Sequence, residues 1–399
     1  MYNATRLFYQ TFPRASLKTE LVLTDQQRAK LLACRKLIRA ALREGLAKAA
    51  SLLSRQDYYE PRFLETASVA DQRNAALHPR FKSQGSWVYD TLNRPAKACQ
   101  QIDLDEGMYV PMSVLKGTHP VVASTALYRI TETILGALCA KQGWTLDTSK
   151  DICIRLVVDA ESHIDVNIYA VPDDQVERLE KAAVAAFGDM VAMDSAGVRL
   201  VRLDPDQVYV AHRQRGWERS DPLQLEDWFN DAVLRHRAWT DVRRIVRYLK
   251  AWRDQHWDRC ALSSLTLMVC AVEALDEANT PPIPGRDDDG LLVAARALAR
   301  KLAGQVFNPV VPDSQLNKEW SVQDRNAFEL AARVLAAEME AALKTETSAF
   351  GVVRRIRRLF GERVPDDASL VSPIAIVEQV RSTPAKQVAS PKVGSSTSG

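Results

Sequence analysis

Hydrophobic positions along this chain change their period, and the changes divide it. Leu31, Leu32, Leu37, Ile38, Ala41, Leu42 and Leu46 recur at helical spacing. Thr24-Asp25-Gln26-Gln27 just before them has the form of a capping box, so one long helix is predicted from about Asp25 to Ser54. The segment up to Leu23 is mixed and yields no element, and residues 55–80 are polar. Gln84-Gly85-Ser86 reads as a turn entering a helix, and Gln101 to Val110 alternates as a strand. Residues 119–141 return to helical spacing. Strand-like runs follow at Ile152–Val158 and His163–Ala170, then a helix over 173–187 and strands near 198–203 and 207–211. From about Pro222 the pattern is almost entirely helical, with helices predicted over 223–236, 239–256, 262–278, 290–304, 321–346 and 350–360. The residues from Ser382 are rich in Ser, Thr, Pro and Lys, and their lack of apolar periodicity predicts disorder. The expected class is α+β: a mixed-sheet lobe over residues 1–221 with its long N-terminal helix, a helical lobe over 222–381, and a tail over 382–399.

Composition narrows this little. A chain of 399 residues, 46% hydrophobic and 26% charged, can bury two cores. A net charge of +3 gives no overall basic excess for binding nucleic acid. No apolar run reaches the roughly 18 residues of a membrane span, and the first twenty residues lack the core of a secretory signal. A cytoplasmic protein is expected, with its six cysteines as buried free thiols.

The candidate chemistry lies in Ile102-Asp103-Leu104-Asp105. Alternation along a strand puts Asp103 and Asp105 on one face and the apolar pair on the other. Paired carboxylates repel unless a cation lies between them, and a hard divalent ion with oxygen ligands suits the place. Asp165, on the polar side of Ser162-His163-Ile164-Asp165-Val166, would complete an acidic cluster for two metals if the two strands are neighbours. The Gly85-Ser86 turn would offer N–H groups and a hydroxyl to triphosphate oxygens. A lone D-x-D is weak, because exposed acidic strand edges are common; the turn and the third aspartate change the balance. Asp287-Asp288-Asp289-Gly290 reads as a solvated loop, Arg354, Arg355, Arg357 and Arg358 as a solvated basic face, and His163 as a satisfied strand residue. Trp228, Trp252 and Trp257 read as core or lobe-interface packing.

The string Gln84-Gly85-Ser86-Trp87-Val88-Tyr89-Asp90-Thr91-Leu92-Asn93-Arg94-Pro95, followed by Asp103-Leu104-Asp105 and Ser162-His163-Ile164-Asp165-Val166, resembles the bacterial cyclases of the cGAS/DncV-like nucleotidyltransferase family. So do Ser220-Asp221-Pro222, Glu226-Asp227-Trp228-Phe229-Asn230-Asp231, Lys250-Ala251-Trp252-Arg253-Asp254 and Ser263-Ser264, in the same order. The resemblance runs from about Leu21 to about residue 315. Residues 232–241 look slightly longer than the family's, and Arg259-Cys260-Ala261-Leu262 replaces a glycine-rich segment. It implies a polymerase-β-like nucleotidyltransferase lobe with a helical lobe, and Asp103, Asp105 and Asp165 as ligands of two Mg²⁺ ions, with Mn²⁺ as a substitute. It further implies Gln84, Gly85, Ser86, Tyr89, Arg155, Ser220, Asp221, Lys250, Ser264 and Asp313 as nucleotide contacts. For Arg155 a surface strand arginine stays open, and for Ser220-Asp221 a helix cap.

The activity so implied is the joining of ATP and GTP into 3′,3′-cyclic GMP-AMP, in an antiphage (CBASS) operon where the product acts on a downstream effector. A linear nucleotidyltransferase, a cyclase making another cyclic di- or trinucleotide, and a catalytically dead nucleotide sensor are the alternatives. Nucleic acid is not expected to be required. Related operons carry an E1/E2-like protein that joins the cyclase C-terminus to other molecules, so Gly399, whose lack of a Cβ suits a narrow adenylating site, is a candidate conjugation point; a plain solubilising tail is the other reading.

Overall fold

A computed structural model describes residues 1–11, 14–53, 79–112, 120–172 and 207–374. The helix expected over 173–187, the strand near 198–203, most of the polar stretch 55–80 and the tail with Gly399 lie outside the described residues. β1 is Tyr2–Asn3, α1 Thr5–Phe8, α2 Leu17–Leu21 and α3 Asp25–Leu53. β2, Arg80–Gln84, leads into α4, Gly85–Val88, then β3, Ile102–Pro111, and α5, Pro120–Gln142. β4 (Thr145–Asp147), β5 (Ile154–Val157), β6 (Ser162–Val171), β7 (Tyr209–His212) and β8 (Gly216–Arg219) complete one sheet. The helical part holds α6 (Pro222–His236), α7 (Val242–His256), α8 (Ser264–Asp276), α9 (Asp287–Ala303), α10 (Val322–Glu340) and α11 (Ala349–Phe360), with β9 at Ser372–Pro373.

The sheet runs β2-β3-β6-β5-β4, with β7 also on β6 and β8 on β7. β3 and β6 are parallel along their whole length, while β2–β3, β5–β6 and β6–β7 are antiparallel. The mixed sheet and helical layer make the α+β class expected from the periodicity. Leu31, Ile38, Leu42 and Leu46 of α3 meet Leu127 and Leu135 of α5 and the apolar face of the sheet, Ile102, Leu104, Ile164 and Val166, in one core. The capping box forms: Gln27 N donates to Thr24 Oγ1 at 3.2 Å, and Thr24 N to Gln27 Oε1 at 3.1 Å.

The second core gathers the C-terminal helices around Trp252, Phe328 and Phe360. Ala4, Leu7, Phe8, Leu17 and Leu21 belong to it, so the N-terminal segment, grouped with the catalytic lobe from sequence order, packs with the helical one. Its anchor departs from what the acidic run suggested. Asp287 and Asp288 are not a solvated loop but are buried in the first turn of α9. The Asp288 carboxylate accepts from Ala4 N at 2.7 Å, from Thr5 Oγ1 and from both Nε and Nη2 of Arg286. Asp287 takes the Arg244 fork at 2.7 and 2.8 Å and the Tyr248 hydroxyl at 2.6 Å. The basic face at 354–358 is partly paired as well, Arg355 with Glu338 and Glu346. The six cysteines are free, but Cys99 and Cys260 are exposed where burial was expected. No helix among the described residues is long and apolar enough to cross a membrane.

Removing one partner of a buried charged network leaves the others desolvated and unpaired, at a cost of about 3–5 kcal/mol. Asp288→Ala is therefore expected to lower the urea midpoint by that equivalent and to expose the N-terminal segment to proteolysis; a loss under about 1 kcal/mol would mean the segment is held by packing alone.

Candidate active site

The parallel pairing of β3 with β6 does what sequence alone could pose only as a condition. Asp103 lies opposite His163, and Asp105 opposite Asp165. Because side chains alternate, all three aspartates emerge on one face, while Ile102, Leu104, Ile164 and Val166 enter the core behind them. The flanking strands add to this face: Gln84 of β2 pairs with Asp105, and Arg155 of β5 pairs with Asp165.

Gly85 stands where only glycine fits. Its φ is +62°, and a Cβ there would lie 1.9 Å from Asp105 Oδ2. The turn and the carboxylate thus occupy adjoining space. Gly107 is required too: a Cβ would fall 2.4 Å from Gln84 Nε2, because the Gln84 side chain crosses β3 there. That amide donates to Tyr109 Oη at 2.8 Å and accepts from Tyr169 Oη at 3.1 Å, bridging the hydroxyls of two stacked rings. Gln84 therefore spends its side chain on the scaffold and offers the cleft its backbone.

The electrostatics follow from crowding. Burial first, then the charges of Asp103 and Asp165, push the Asp105 carboxyl well above its usual range. Burial raises Asp103 as well, but the His163 ring and the charges of Arg155 and Lys250 outweigh it, and Asp103 sits below its usual range. His163 Nε2 is 3.0 Å from Asp103 Oδ1, an electrostatic contact without hydrogen-bond alignment, since both atoms are buried and lack a hydrogen-bond partner there. His163 was read as a satisfied strand residue; its Nδ1 is held 3.0 Å from Gln101 Oε1, and its other nitrogen turns to the site. Ligand atoms of Asp103, His163 and Asp165 lie within 4.8 Å of one another. A buried carboxylate oxygen without a hydrogen bond, beside two further carboxylates, is a donor set of hard oxygens that fits a divalent cation.

Arg155 is not a surface arginine. Its fork grips Asp165 with Nε–Oδ1 at 2.8 Å and Nη2–Oδ2 at 2.7 Å. The helical layer supplies the opposite wall. Lys250 of α7, 4% exposed, donates to Ser86 Oγ at 2.8 Å and to the Thr91 carbonyl at 2.7 Å. Desolvation first, then Arg253, brings its pKa down to about 7. Ser264 Oγ accepts from Arg253 Nη1 at 3.1 Å, and the cap of α8 is Ser263 instead. Asp221 caps α6 through Leu223 N and Gln224 N, with Pro222 in the first turn, so the cap reading of Ser220-Asp221 holds for Asp221. Both residues nonetheless line the cleft.

That cleft, about 950 Å³, lies between the two layers. It collects Gln84, Gly85, Ser86, Tyr89, Asp103, Asp105, Arg155, Ser220, Asp221, Lys250 and Ser264. Asp313 is exposed and, like Asp165, is not among the residues that line the cleft; Asp165 instead sits behind the wall, closed on Arg155. Sequence reasoning gave no role in the site to Arg253 or His163, though both stand in the quoted strings. A buried Glu106, clamped by Arg39 of α3 and by Ser83 at 3.0 Å just before the turn, was also missed.

A Gly-Ser turn beside three strand carboxylates, facing a buried lysine across a cleft, defines a nucleotidyltransferase. Residues 79–169 match the model of the cyclic GMP-AMP synthase DncV-like nucleotidyltransferase domain, and residues 240–373 that of the cyclic GMP-AMP synthase C-terminal domain. The second match extends well past residue 315, where the string-level resemblance fades. A cyclic GMP-AMP synthase of Escherichia coli is 32% identical over 79% of this chain and 74% of its own, and one of Vibrio cholerae is 29% identical over 91% and 92%. The crystal structure of the Vibrio cholerae DncV cyclic AMP-GMP synthase with the linear intermediate 5′ pppA(3′,5′)pG covers 94% of this chain and 99% of its own, at 28% identity and a TM-score of 0.73. A mutant of the same cyclase in complex with ATP, GTP and 5MTHFGLU2 overlays with a TM-score of 0.74 at 27% identity, covering 94% of this chain and 100% of its own. The chain belongs to the DncV-like cGAS nucleotidyltransferase family, and it is a nucleotidyltransferase of the cyclic GMP-AMP synthase type.

Asp105 is held with a raised pKa, so the native state binds more protons than the unfolded one above pH 3.8, and stability falls as pH rises through that window. Asp105→Asn is expected to remove this slope and to stabilise the protein at neutral pH by about 1 kcal/mol in urea unfolding. Gly85→Ala, by contrast, is expected to destabilise it. A destabilised Asp105→Asn would show that the carboxylate is needed by the fold.

Proposed function

We propose that this enzyme joins ATP and GTP into 3′,3′-cyclic GMP-AMP by two successive nucleotidyl transfers, with Mg²⁺ held by Asp103, Asp105 and Asp165. The observation that carries the reading is the β3–β6 register, which sets Asp105 against Asp165, with Asp103 on the same face of the sheet. For the substrates, support comes from relatives named cyclic GMP-AMP synthase and from a related cyclase in complex with ATP and GTP.

Two Mg²⁺ ions, or Mn²⁺, would supply neutralisation of the triphosphate and acidify the attacking hydroxyl. The chain's own groups do the positioning. The Gly85–Ser86 turn and Lys250 receive triphosphate oxygens, with Ser264 and Arg253 beside them. Asp165 orients the 3′-hydroxyl of the acceptor and draws off its proton. The freed oxygen bonds to the α-phosphorus of the donor as pyrophosphate leaves. Arg155, which forks Asp165 here, then turns to phosphate; both partners are charged, so the exchange trades one charge-assisted contact for another. Tyr89, Ser220 and Asp221, which line the cleft, receive the nucleosides in this reading. A product acting on an effector in antiphage signalling, and handling of Gly399 by an E1/E2-like partner, extend the same reading.

Incubation with all four nucleoside triphosphates and Mg²⁺, followed by mass spectrometry, is expected to give one cyclic product containing one adenine and one guanine, without added nucleic acid. Asp103→Asn is expected to lose at least about 100-fold in rate. Linear product alone, another base pair, or dependence on duplex nucleic acid would overturn the assignment.

Lys250 gives a second test. With its pKa near 7 in the fold and 10.5 as a free side chain, the unfolded state binds more protons between those values, so this group's contribution to stability rises with pH across that window. A triphosphate favours the charged amine. Calorimetry of nucleotide binding at pH 8 in buffers of different ionisation heat is therefore expected to show proton uptake approaching one per nucleotide, absent in Lys250→Met. Equal heats in both buffers for the wild type would place the phosphates elsewhere.

A further inference from the structure

The segment leaving the nucleotide turn, Tyr89–Asn93, is held in an unusual way. Asp90 has φ +52° and is the one non-glycine residue with positive φ among those described. This left-handed conformation strains an L-residue and persists where surroundings enforce it. The enforcement comes from one face of α7. Arg243, Arg247 and Lys250 stand four and then three residues apart, so they project together. Arg243 Nε donates to the Tyr89 carbonyl at 3.2 Å. Arg247 Nε donates to the Asp90 carbonyl at 2.9 Å and Nη2 to its carboxylate at 2.7 Å, while Nη1 reaches the Leu92 carbonyl and Asn93 Oδ1. Asn93 Nδ2 donates back to the Arg247 carbonyl at 2.9 Å. Lys250 then takes Thr91 O and Ser86 Oγ.

Arg247 is 4% exposed and does not line the cleft, so it does not reach a nucleotide. What it grips has cleft residues on both sides: Ser86 and Tyr89 before Asp90, Leu92 and Asn93 after it. It is also the central contact between the sheet layer, which carries the aspartates, and the helix that carries Lys250.

We infer that Arg247 is a positioning residue for nucleotidyl transfer: its fork fixes the strained Tyr89–Asn93 segment and thereby sets the Gly85–Ser86 turn at the reach of Lys250. A purely structural arginine would affect how much protein is folded, not how each folded molecule aligns its substrates. In-line attack is sensitive to misplacement of about 1 Å, which costs on the order of 100-fold in rate while binding changes little. The role rests on the proposed reaction.

The test compares Arg247→Lys, Asp90→Gly and Lys97→Ala with the wild type, measuring Tm and pyrophosphate release from ATP and GTP with Mg²⁺. Arg247→Lys keeps the charge but cannot reach four acceptors at once; kcat per folded molecule is expected to fall about 100-fold, with KM within about 3-fold. Asp90→Gly accepts the positive φ but takes the carboxylate from a buried guanidinium, so its Tm is expected to fall while kcat per folded molecule also falls about 10-fold. Lys97→Ala breaks the exposed Lys97–Asp258 link between the same layers and is expected to leave kcat unchanged. Wild-type kcat in both Arg247→Lys and Asp90→Gly, or in Asp90→Gly alone should Arg247→Lys fail to fold, overturns the inference, as does an equal fall in Lys97→Ala. Absence of turnover in the wild type itself would instead refute the proposed reaction.

Discussion

Three carboxylates on two adjacent parallel strands repel one another, and much of the catalytic layer answers that repulsion. The register of β3 on β6 forces Asp105 against Asp165, and alternation brings Asp103 to the same face. The answering groups arrive from different elements: the Arg155 guanidinium from β5, the His163 ring from β6 and the Lys250 amine from α7. Asp105 has no such direct partner and carries the raised pKa. A site that stores unfavourable charge in this way is matched to a ligand that brings positive charge, and a triphosphate carrying divalent ions does so.

The same logic explains why the active face needs two layers. The sheet supplies acids and a glycine turn that lies against Asp105. The helical layer supplies the buried lysine and the arginines that hold the turn's far side. Burial keeps Lys250 poised near neutrality, so its charge responds to what enters the cleft. The N-terminal segment reinforces this layer from behind: Asp288 pins Ala4 and Thr5, and Tyr248 of α7 donates to the neighbouring Asp287.

Most elements were legible in the sequence because their apolar spacing is strong. Helices expected over 223–236 and 239–256 occur at Pro222–His236 and Val242–His256, and the strand from Gln101 to Val110 runs Ile102–Pro111. The acidic trio was legible up to one condition, strand adjacency, since pairing between residues 60 apart leaves no local trace. What was missed depends on tertiary partners. Asp287 and Asp288 look like a solvated run until Arg244, Arg286, Tyr248 and the N-terminus close over them. The first 21 residues have too few apolar positions to show a period, yet Leu7, Phe8 and Leu17 are fully buried. Arg155 resembles any strand arginine until β5 lies beside β6. Asp313, carried over where the resemblance thins, is exposed away from the cleft lining, and Asp165 is withheld from that lining by its contact with Arg155.

On the proposed reaction, the β3–β6 carboxylates hold paired divalent ions on which the triphosphate is received. Anomalous scattering from crystals grown with Mn²⁺ and a nonhydrolysable nucleoside triphosphate tests it most directly. Two peaks about 3.5–4 Å apart, both within coordination distance of the Asp103, Asp105 and Asp165 carboxylates, with Arg155 no longer forking Asp165, is the result this account requires. Manganese bound away from these residues, or a nucleotide seated in the cleft with Asp165 still closed on Arg155, would contradict it.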